Sequence, residues 1–407
     1  MTLHLLRLVW NRKRQNLLVA LEIFLSFGVL FAIAFTVGVN YYNWRQPLGF
    51  DVNGLWTIQL GYPYSGPARP EDTEEQTAGR ARAAETLVQV LAAINAFPEV
   101  ERTATSWPSI LYTRGGWSED IGSDGFRSIS AMHIVSDEFR DVLGVTIVAG
   151  RWFSRQDDGR GTEPAIINAR LARALFGEAS PLNRELRPPG DSGAPALRIV
   201  GVIEDFRHDG ELGFPGHATL VRPTVRRTPA ALPNVLTLRV KPGTTADVEE
   251  TLVRTLQDVA PDWTFDVRSV ASRREEAIRK ALAPIALVAI LAVFLLLMVA
   301  LGLTGVVWQS VTTRIQEFGL RRAKGATATH IRRQVIMELV LLTSLAVILG
   351  AVIVVQIPGL APLAPPSVRV SSVAAAVVVI YLLTLLCAWY PSRLATRIQP
   401  ADALHYE

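Results

Sequence analysis

Four long apolar runs decide most of what this chain can become. Leu17 to Val39 is almost wholly apolar, with Glu22 its one ionisable residue, and Ala281 to Val307 carries no charge. Val335 to Gln356 carries only Glu338, near its start, and Val373 to Trp389 carries none. A helix needs ~20 residues to cross the hydrocarbon core, with ~17 the practical minimum. Each run is long enough, the last narrowly. Composition agrees: 49% of the 407 residues are hydrophobic and 19% charged, where a soluble chain carries about a quarter charged.

The first run is preceded by Arg12, Lys13 and Arg14 and contains an A-x-A pattern at Ala32 and Ala34, as a signal peptide would. Its apolar stretch exceeds the ~7–15 residues of a signal core, so it reads as a retained anchor. The chain then divides into an amphipathic N-terminal segment (1–16), spans at 17–39, 281–307, 335–356 and 373–389, an inserted domain (40–280), a loop (308–334), a short connector (357–372) and a tail (390–407). Lys and Arg set the orientation. Arg7, Arg12, Lys13 and Arg14 precede the first span; Arg314, Arg321, Arg322, Lys324, Arg332 and Arg333 separate the second and third; Arg393 and Arg397 follow the fourth. The connector holds only Arg369. Both termini and the 308–334 loop are expected in the cytoplasm and the inserted domain outside. The isoelectric point near 9.4 then reflects these loops, not nucleic-acid binding. Cys387 is the single cysteine, so no intrachain disulfide staples the outer domain.

The outer domain mixes strands and helices. Leu55 to Leu60, Pro164 to Asn168 and Leu197 to Ile203 read as strands, and Ala169 to Phe176 as a helix. Leu87, Val90, Leu91 and Ile94 share one face of a predicted helix over Glu85 to Phe97. Residues 234–280 order as strand, Pro242-Gly243 turn, helix with Val248, Leu252, Val253 and Leu256 inward, and strand, which is half of a ferredoxin-like sandwich. The regions before and after about 160–232 are expected to form two subdomains. The fold class is therefore membrane α-helical, with a large extracytoplasmic α+β domain between helices 1 and 2. Gly61 to Gly79 reads as a flexible excursion. Its Glu71, Asp72, Glu74 and Glu75 match no calcium-loop spacing and read as a solvated acidic loop.

Catalytic constellations are missing from the sequence. Lys324-Gly325-Ala326-Thr327 is not a phosphate loop, and His133, His208 and His217 lack metal-ligand spacing. Gly190-Asp191-Ser192-Gly193 imitates a serine-protease nucleophile segment, but Pro188, Pro189 and Pro195 around it favour an exposed turn. No cofactor, metal or catalytic residue is expected.

The 308–334 loop is the most informative segment. Ile315, Phe318 and Leu320 are apolar, Arg314, Arg321, Arg322 and Lys324 are basic, and Gly319 and Gly325 interrupt helical continuity. Such a short amphipathic helix suits an interface rich in acidic lipid headgroups, or a groove in a cytoplasmic partner. Glu22, ~8 Å into the first span at 1.5 Å per residue, must face protein, water or the interface.

Glu317, Gly319, Arg321, Arg322, Ala323, Gly325, Ala326 and Thr327 resemble the loop signature of MacB/FtsX-like permease subunits of ABC transporters. Pro391-Ser392-Arg393-Leu394-Ala395 with Ile398 to Leu404 is similar to that family's ending, with Asp402 where Glu is usual. Phe139 to Gly144, Ala149 to Phe153, Asp157, Ile166 to Asn168, Leu175 to Gly177 and Val200 to Asp205 resemble the MacB-type periplasmic core domain. The resemblance implies a bacterial inner-membrane, multi-pass, non-catalytic permease that pairs with a second permease chain, identical or not. Each chain would seat Arg314, Glu317, Phe318, Gly319, Leu320, Arg321, Arg322, Lys324 and Gly325 on an ABC ATPase subunit that binds the ATP. It also implies transmission of force to the outer domain for efflux or extraction of a hydrophobic, peptide or lipid-like substrate, and leaves room for a periplasmic adaptor. The rival readings are a membrane-anchored sensor, for which the 18 residues of 390–407 offer no output domain, and a regulator of a cell-wall hydrolase.

Overall fold

A computed structural model of the chain describes residues 13–63, 65, 72–108, 111–112, 116–123, 125–154, 157, 162–187, 196–213, 215–222, 232–313, 320, 327–360 and 364–395. Two compact units emerge: Asn43–Ala281, and Met1–Tyr42 with Leu282–Glu407.

The second of these units is built of helices. Among the described residues, four helices are long and apolar enough to cross a membrane: α1 (Lys13–Trp44), α6 (Val270–Thr312), α7 (Ala328–Val355) and α8 (Pro366–Ala395). All four run past the apolar stretches that mark them, because polar flanks continue the backbone hydrogen bonding. The connector expected at 357–372 is correspondingly shorter. Its second half is already helix, opened by Pro366, whose missing N–H costs nothing in a first turn. Thr327 caps α7, its hydroxyl accepting from the His330 amide at 3.3 Å.

Ile23, Phe27, Leu303, Val347 and Ile380 form the core of this unit. Lipid gives no hydrophobic push between helices, so close backbone approach and hydroxyl pairs matter instead. Thr343 and Thr384 hydroxyls meet at 3.3 Å and Ser344 meets Tyr381 at 2.7 Å. A Cβ on Gly350 would collide with the Phe27 ring.

The unit Asn43–Ala281 is organised by one mixed sheet. Its strands are β1 (Leu55–Gly61), β2 (Val100–Trp107), β3 (Trp117–Ser123), β4 (Phe126–Val135), β5 (Ile147–Gly150), β6 (Glu163–Asn168), β7 (Glu185–Leu186), β8 (Leu197–Ile203), β9 (Ala218–Val221), β10 (Val235–Val240) and β11 (Thr264–Ser269). Among the described residues the order is β11-β1-β10-β2-β4-β9-β6-β8-β5, with β3 on β4 and β7 on β8.

The ferredoxin-like half predicted at 234–280 finds its other half far upstream. β1, α2 (Glu74–Asn95) and β2 pair with β10, α5 (Ala246–Val259) and β11 in the antiparallel order β11-β1-β10-β2. Ile58, Leu236 and Leu238 from the strands and Leu87, Val90, Ile94, Leu252 and Leu256 from the helices fill that core. The two subdomains are therefore not the regions before and after about 160–232: the second is the insertion between β2 and β10, which contains that stretch. The β2–β4 pairing, Ser106 with Val135 and Trp107 with Ile134, joins both into one sheet. In the insertion both sheet faces are covered: Ile166 points to the core with Phe139 of α3 (Phe139–Leu143), and its neighbours Ala165 and Ile167 to the core with Leu171 of α4 (Ala169–Phe176). A strand buried on both faces reads as a continuous apolar run, as Pro164 to Asn168 does.

The expected excursion at 61–79 is shorter than predicted. α2 begins at Glu74, eleven residues before Glu85, behind a capping box in which Thr73 and Gln76 bond reciprocally at 3.2 and 2.8 Å. Glu74 and Glu75 occupy its first turn, where the helix dipole favours anions. Asp72 binds Arg80 at 2.9 Å, so this part of the acidic cluster is structural.

Candidate functional site

The site predicted from sequence is only partly in view. Arg314, Glu317, Phe318, Gly319, Arg321, Arg322, Lys324 and Gly325 lie outside the described residues, as do 1–12, Glu71 and the Gly190 to Gly193 turn. Leu320 is helical and exposed. Glu22 sits half-buried on α1 with its carboxylate against Gly302 of α6, at a point where a Cβ would overlap it. It thus faces protein, as the cost of an intramembrane acid requires.

A second polar cluster, which sequence reasoning did not single out, gathers within the unit Asn43–Ala281, around the last residues of α1 and the first turns of α6. Arg207 is its pivot, only 4% exposed. Its Nη1 donates to the carbonyls of Asn43 at 2.7 Å and Gln46 at 3.2 Å, and its Nη2 to those of Glu211 at 2.7 Å and Gly213 at 2.8 Å. The last carbonyls of a helix have no partner within it, and the C-terminal end of its dipole attracts a cation. Arg207 meets both needs for α1 while bracing the loop 205–213. Burial lowers its pKa from the ordinary arginine value, against Glu211 and Asp205, which raise it.

The same loop holds the start of α6. Arg274, in its second turn, donates from Nε to Glu211 Oε1 at 2.5 Å, with Glu211 8% exposed along its side chain. The guanidinium of Arg274 also lies 5.6 Å from the ring centre of Trp44, the last residue of α1. Gly210 makes the turn possible. Its φ of +85° suits glycine, and a Cβ there would stand 2.5 Å from the Tyr112 ring. One six-residue stretch, Phe206 to Glu211, therefore grips the ends of both helices.

Beneath the loop lies a cavity of about 410 Å3 whose walls include Trp117, His133, Phe206, His208 and His217. Three histidines scattered in sequence meet here because β4, the loop and the start of β9 are adjacent. The His133 ring is buried edge-on to Phe206 and His208, with centroids 5.3 and 4.9 Å away. His208 Nε2 lies 3.1 Å from Asp209 Oδ1, and His217 Nδ1 lies 2.5 Å from Ser128 Oγ. Burial lowers all three pKa values below the ordinary imidazole range. Among the described residues no group of three or more His, Cys, Asp or Glu is arranged to hold a metal.

Among the described residues, outer-domain motifs that carried the resemblance act as structural fastenings. Arg151 grips Asp157 through two bonds of 2.8 and 2.5 Å. Asn168, fully buried, accepts from the Leu171 and Ala218 amides at 3.0 and 3.2 Å and donates to the Gly216 carbonyl at 2.9 Å. Gly150 (φ +76°) lets that segment pass where a Cβ would strike the Val200 carbonyl.

Two family models cover this architecture. The model for the MacB-like periplasmic core domain matches residues 23–255, and that for the FtsX-like permease C-terminal region matches 289–400. The chain belongs to the MacB-like, FtsX-like permease family of ABC transporters. In that family the sheet-bearing unit is the extracytoplasmic core domain, set between the first membrane helix and the other three. The macrolide export ATP-binding/permease protein MacB of Escherichia coli strain K12 is 26% identical over 288 residues, 67% of this chain and 43% of that protein. The Shigella boydii protein of the same name is 26% identical over 285 residues. The chain thus spans less than half the length of the curated relatives it matches. Among solved structures, the periplasmic region of MacB from Actinobacillus actinomycetemcomitans aligns over 56% of this chain and 94% of its own, at 12% identity and a TM-score of 0.36. The extracellular domain of the transporter YknZ from Gram-positive bacteria aligns over 52% and 99%, at 16% identity and a TM-score of 0.33.

Proposed function

We propose that this permease converts ATP hydrolysis by a separate ABC ATPase subunit into movement of its extracytoplasmic domain, for efflux or extraction of a hydrophobic, peptide or lipid-like substrate. The observation that carries the proposal is the junction at Arg207 and Glu211. A helix end held by backbone hydrogen bonds and a buried charge moves its domain with it; a helix joined by a slack linker would not. Motion of α1 or α6 in the membrane is then felt at the loop 205–213.

The energy enters at the 308–334 loop, with the termini and that loop on the cytoplasmic side. Phe318 and Leu320 fill a groove on the ATPase while Arg314, Arg321, Arg322 and Lys324 meet its acids. Glu317 pairs locally with Arg314 or Arg321 at helical spacing. Gly319 and Gly325 bend the segment to fit. A second permease chain completes the unit, and α6 supports this: 6% of its most apolar window is buried within the chain, against 28–39% for the other three helices. ATP is bound by the ATPase, and this chain holds no cofactor of its own. The site at Glu22 serves helix packing.

Co-purification tests the reading. The ATPase subunit should come down with the native chain and be stimulated by it, and Phe318→Ala with Arg321→Glu should abolish both. Undiminished association and stimulation in that double variant would refute entry through the loop.

A further inference from the structure

The histidine cavity and the helix junction share one loop, and that sharing has a consequence for pH. Phe206 and His208 form the side of the loop that packs on His133 of β4, while Arg207 between them and Glu211 beyond them form the side that grips α1 and α6. Lifting the first side off β4 must disturb the second.

Two imidazoles with centroids 4.9 Å apart, one of them 1% exposed, pack well only while neutral. A charge on either is taken out of water, and charges on both repel at short range. The charged groups around the pair are few and divide its behaviour. Asp209 lies beside His208 and favours its protonation. His133 feels burial first and His208 second, and both oppose its protonation. Arg207, between Phe206 and His208, and Glu211, three residues beyond His208, bond to the helix ends, and Asp205 with its partner Arg170 on α4 lies towards His217. Acid therefore charges His208 first, and His133 accepts a proton only when the loop gives it access to water.

We propose that His133 and His208 form an acid-released latch: neutral, they hold the loop 205–213 closed on β4 with both helix ends gripped, and protonated, they release it. Its consequence for transport rests on the function proposed above; the latch itself does not. Both groups have their pKa lowered on folding, so the folded state binds fewer protons than the unfolded chain. Their contribution is complete above about pH 6.5, the unfolded value, and is lost as pH falls below it towards the lowered folded values. That window is one an extracytoplasmic domain meets when the surroundings acidify.

Hydrogen–deuterium exchange on the full chain in detergent micelles tests the latch without any ATPase. After correction for intrinsic exchange, amides of 206–213 should exchange roughly tenfold faster at about pH 5 than at about pH 7.5, an opening energy lower by about 1.4 kcal/mol. In His133→Gln and in His208→Gln, which keep a polar side chain that cannot charge, the ratio should fall towards one. Should His133→Gln fail to fold, His208→Gln at the less enclosed position carries the test. A ratio near one in the native chain, or an undiminished ratio in the variants, overturns the proposal.

Discussion

Arg207 donates through Nη1 to the carbonyl of Asn43 at 2.7 Å, tying a loop of the inserted subdomain to the end of the first membrane helix across 164 residues of sequence. A buried guanidinium that satisfies four carbonyls is costly to remove, because the carbonyls lose their donors while staying out of water. Arg207→Gln should lower stability by about 2–4 kcal/mol, read as a fall in the unfolding midpoint of the purified chain. Arg207→Lys should recover little, since a compact ammonium cannot reach in two directions as the planar fork does.

At the other half of the junction, Glu211→Ala leaves Arg274 without its buried carboxylate and should cost about 1–3 kcal/mol. Glu211→Gln keeps one acceptor and should cost less. Trp44→Ala removes the stacking surface under Arg274, worth about 0.5–1 kcal/mol at a half-exposed site. The unfolding midpoints of the three variants should rank in that order of damage.

Within the membrane unit, Gly302 and Glu22 should behave as a pair. Gly302→Leu puts a side chain where the Glu22 carboxylate lies, so the variant should be less stable and give less folded protein. Adding Glu22→Ala should restore part of the loss, whereas independent sites would simply add. A double-mutant cycle scored by folded yield in detergent reads the coupling.

Asn168 caps α4 and bonds to the backbone ahead of β9, so Asn168→Ala strands buried groups at two places. Its cost should be about 2–3 kcal/mol. Asn168→Asp should rescue the cap but not the bond to the Gly216 carbonyl, because a carboxylate cannot donate. Chemical denaturation of the three proteins separates the two contributions.

How much of this was legible beforehand follows from the range of the interactions. The four apolar runs, the strand at 197–203 and the helix at 169–176 are local patterns, and they stand where their periodicity puts them. The ferredoxin-like half at 234–280 was readable for the same reason. Its partner was not, since β1, α2 and β2 are separated from β10 by more than a hundred residues of inserted chain and nothing local marks the join. The early start of α2 was masked by Gly79 and acidic residues that suggest a loop, although Thr73 three places before Gln76 is a readable capping signal. The junction was hidden most completely. Asn43, Arg207, Glu211 and Arg274 come from three distant segments, and an arginine that binds backbone carbonyls leaves no complementary acid in the sequence to find. Asp205 and Asn168 did stand in the motifs behind the family resemblance, and their packing shows that those motifs mark the frame of the domain.

The central claim, that motion passes from the membrane helices to the outer domain through the Arg207 junction, is open to one direct measurement. Cys387→Ala removes the single cysteine, so spin labels can be placed at the exposed positions Val37 on α1 and Val88 on α2 alone. With the partner ATPase bound, the distance distribution between them should shift on adding a non-hydrolysable ATP analogue, and the shift should vanish in Arg207→Gln while the ATPase stays bound. An unchanged distribution in the native junction, or the same shift in Arg207→Gln, would contradict the account.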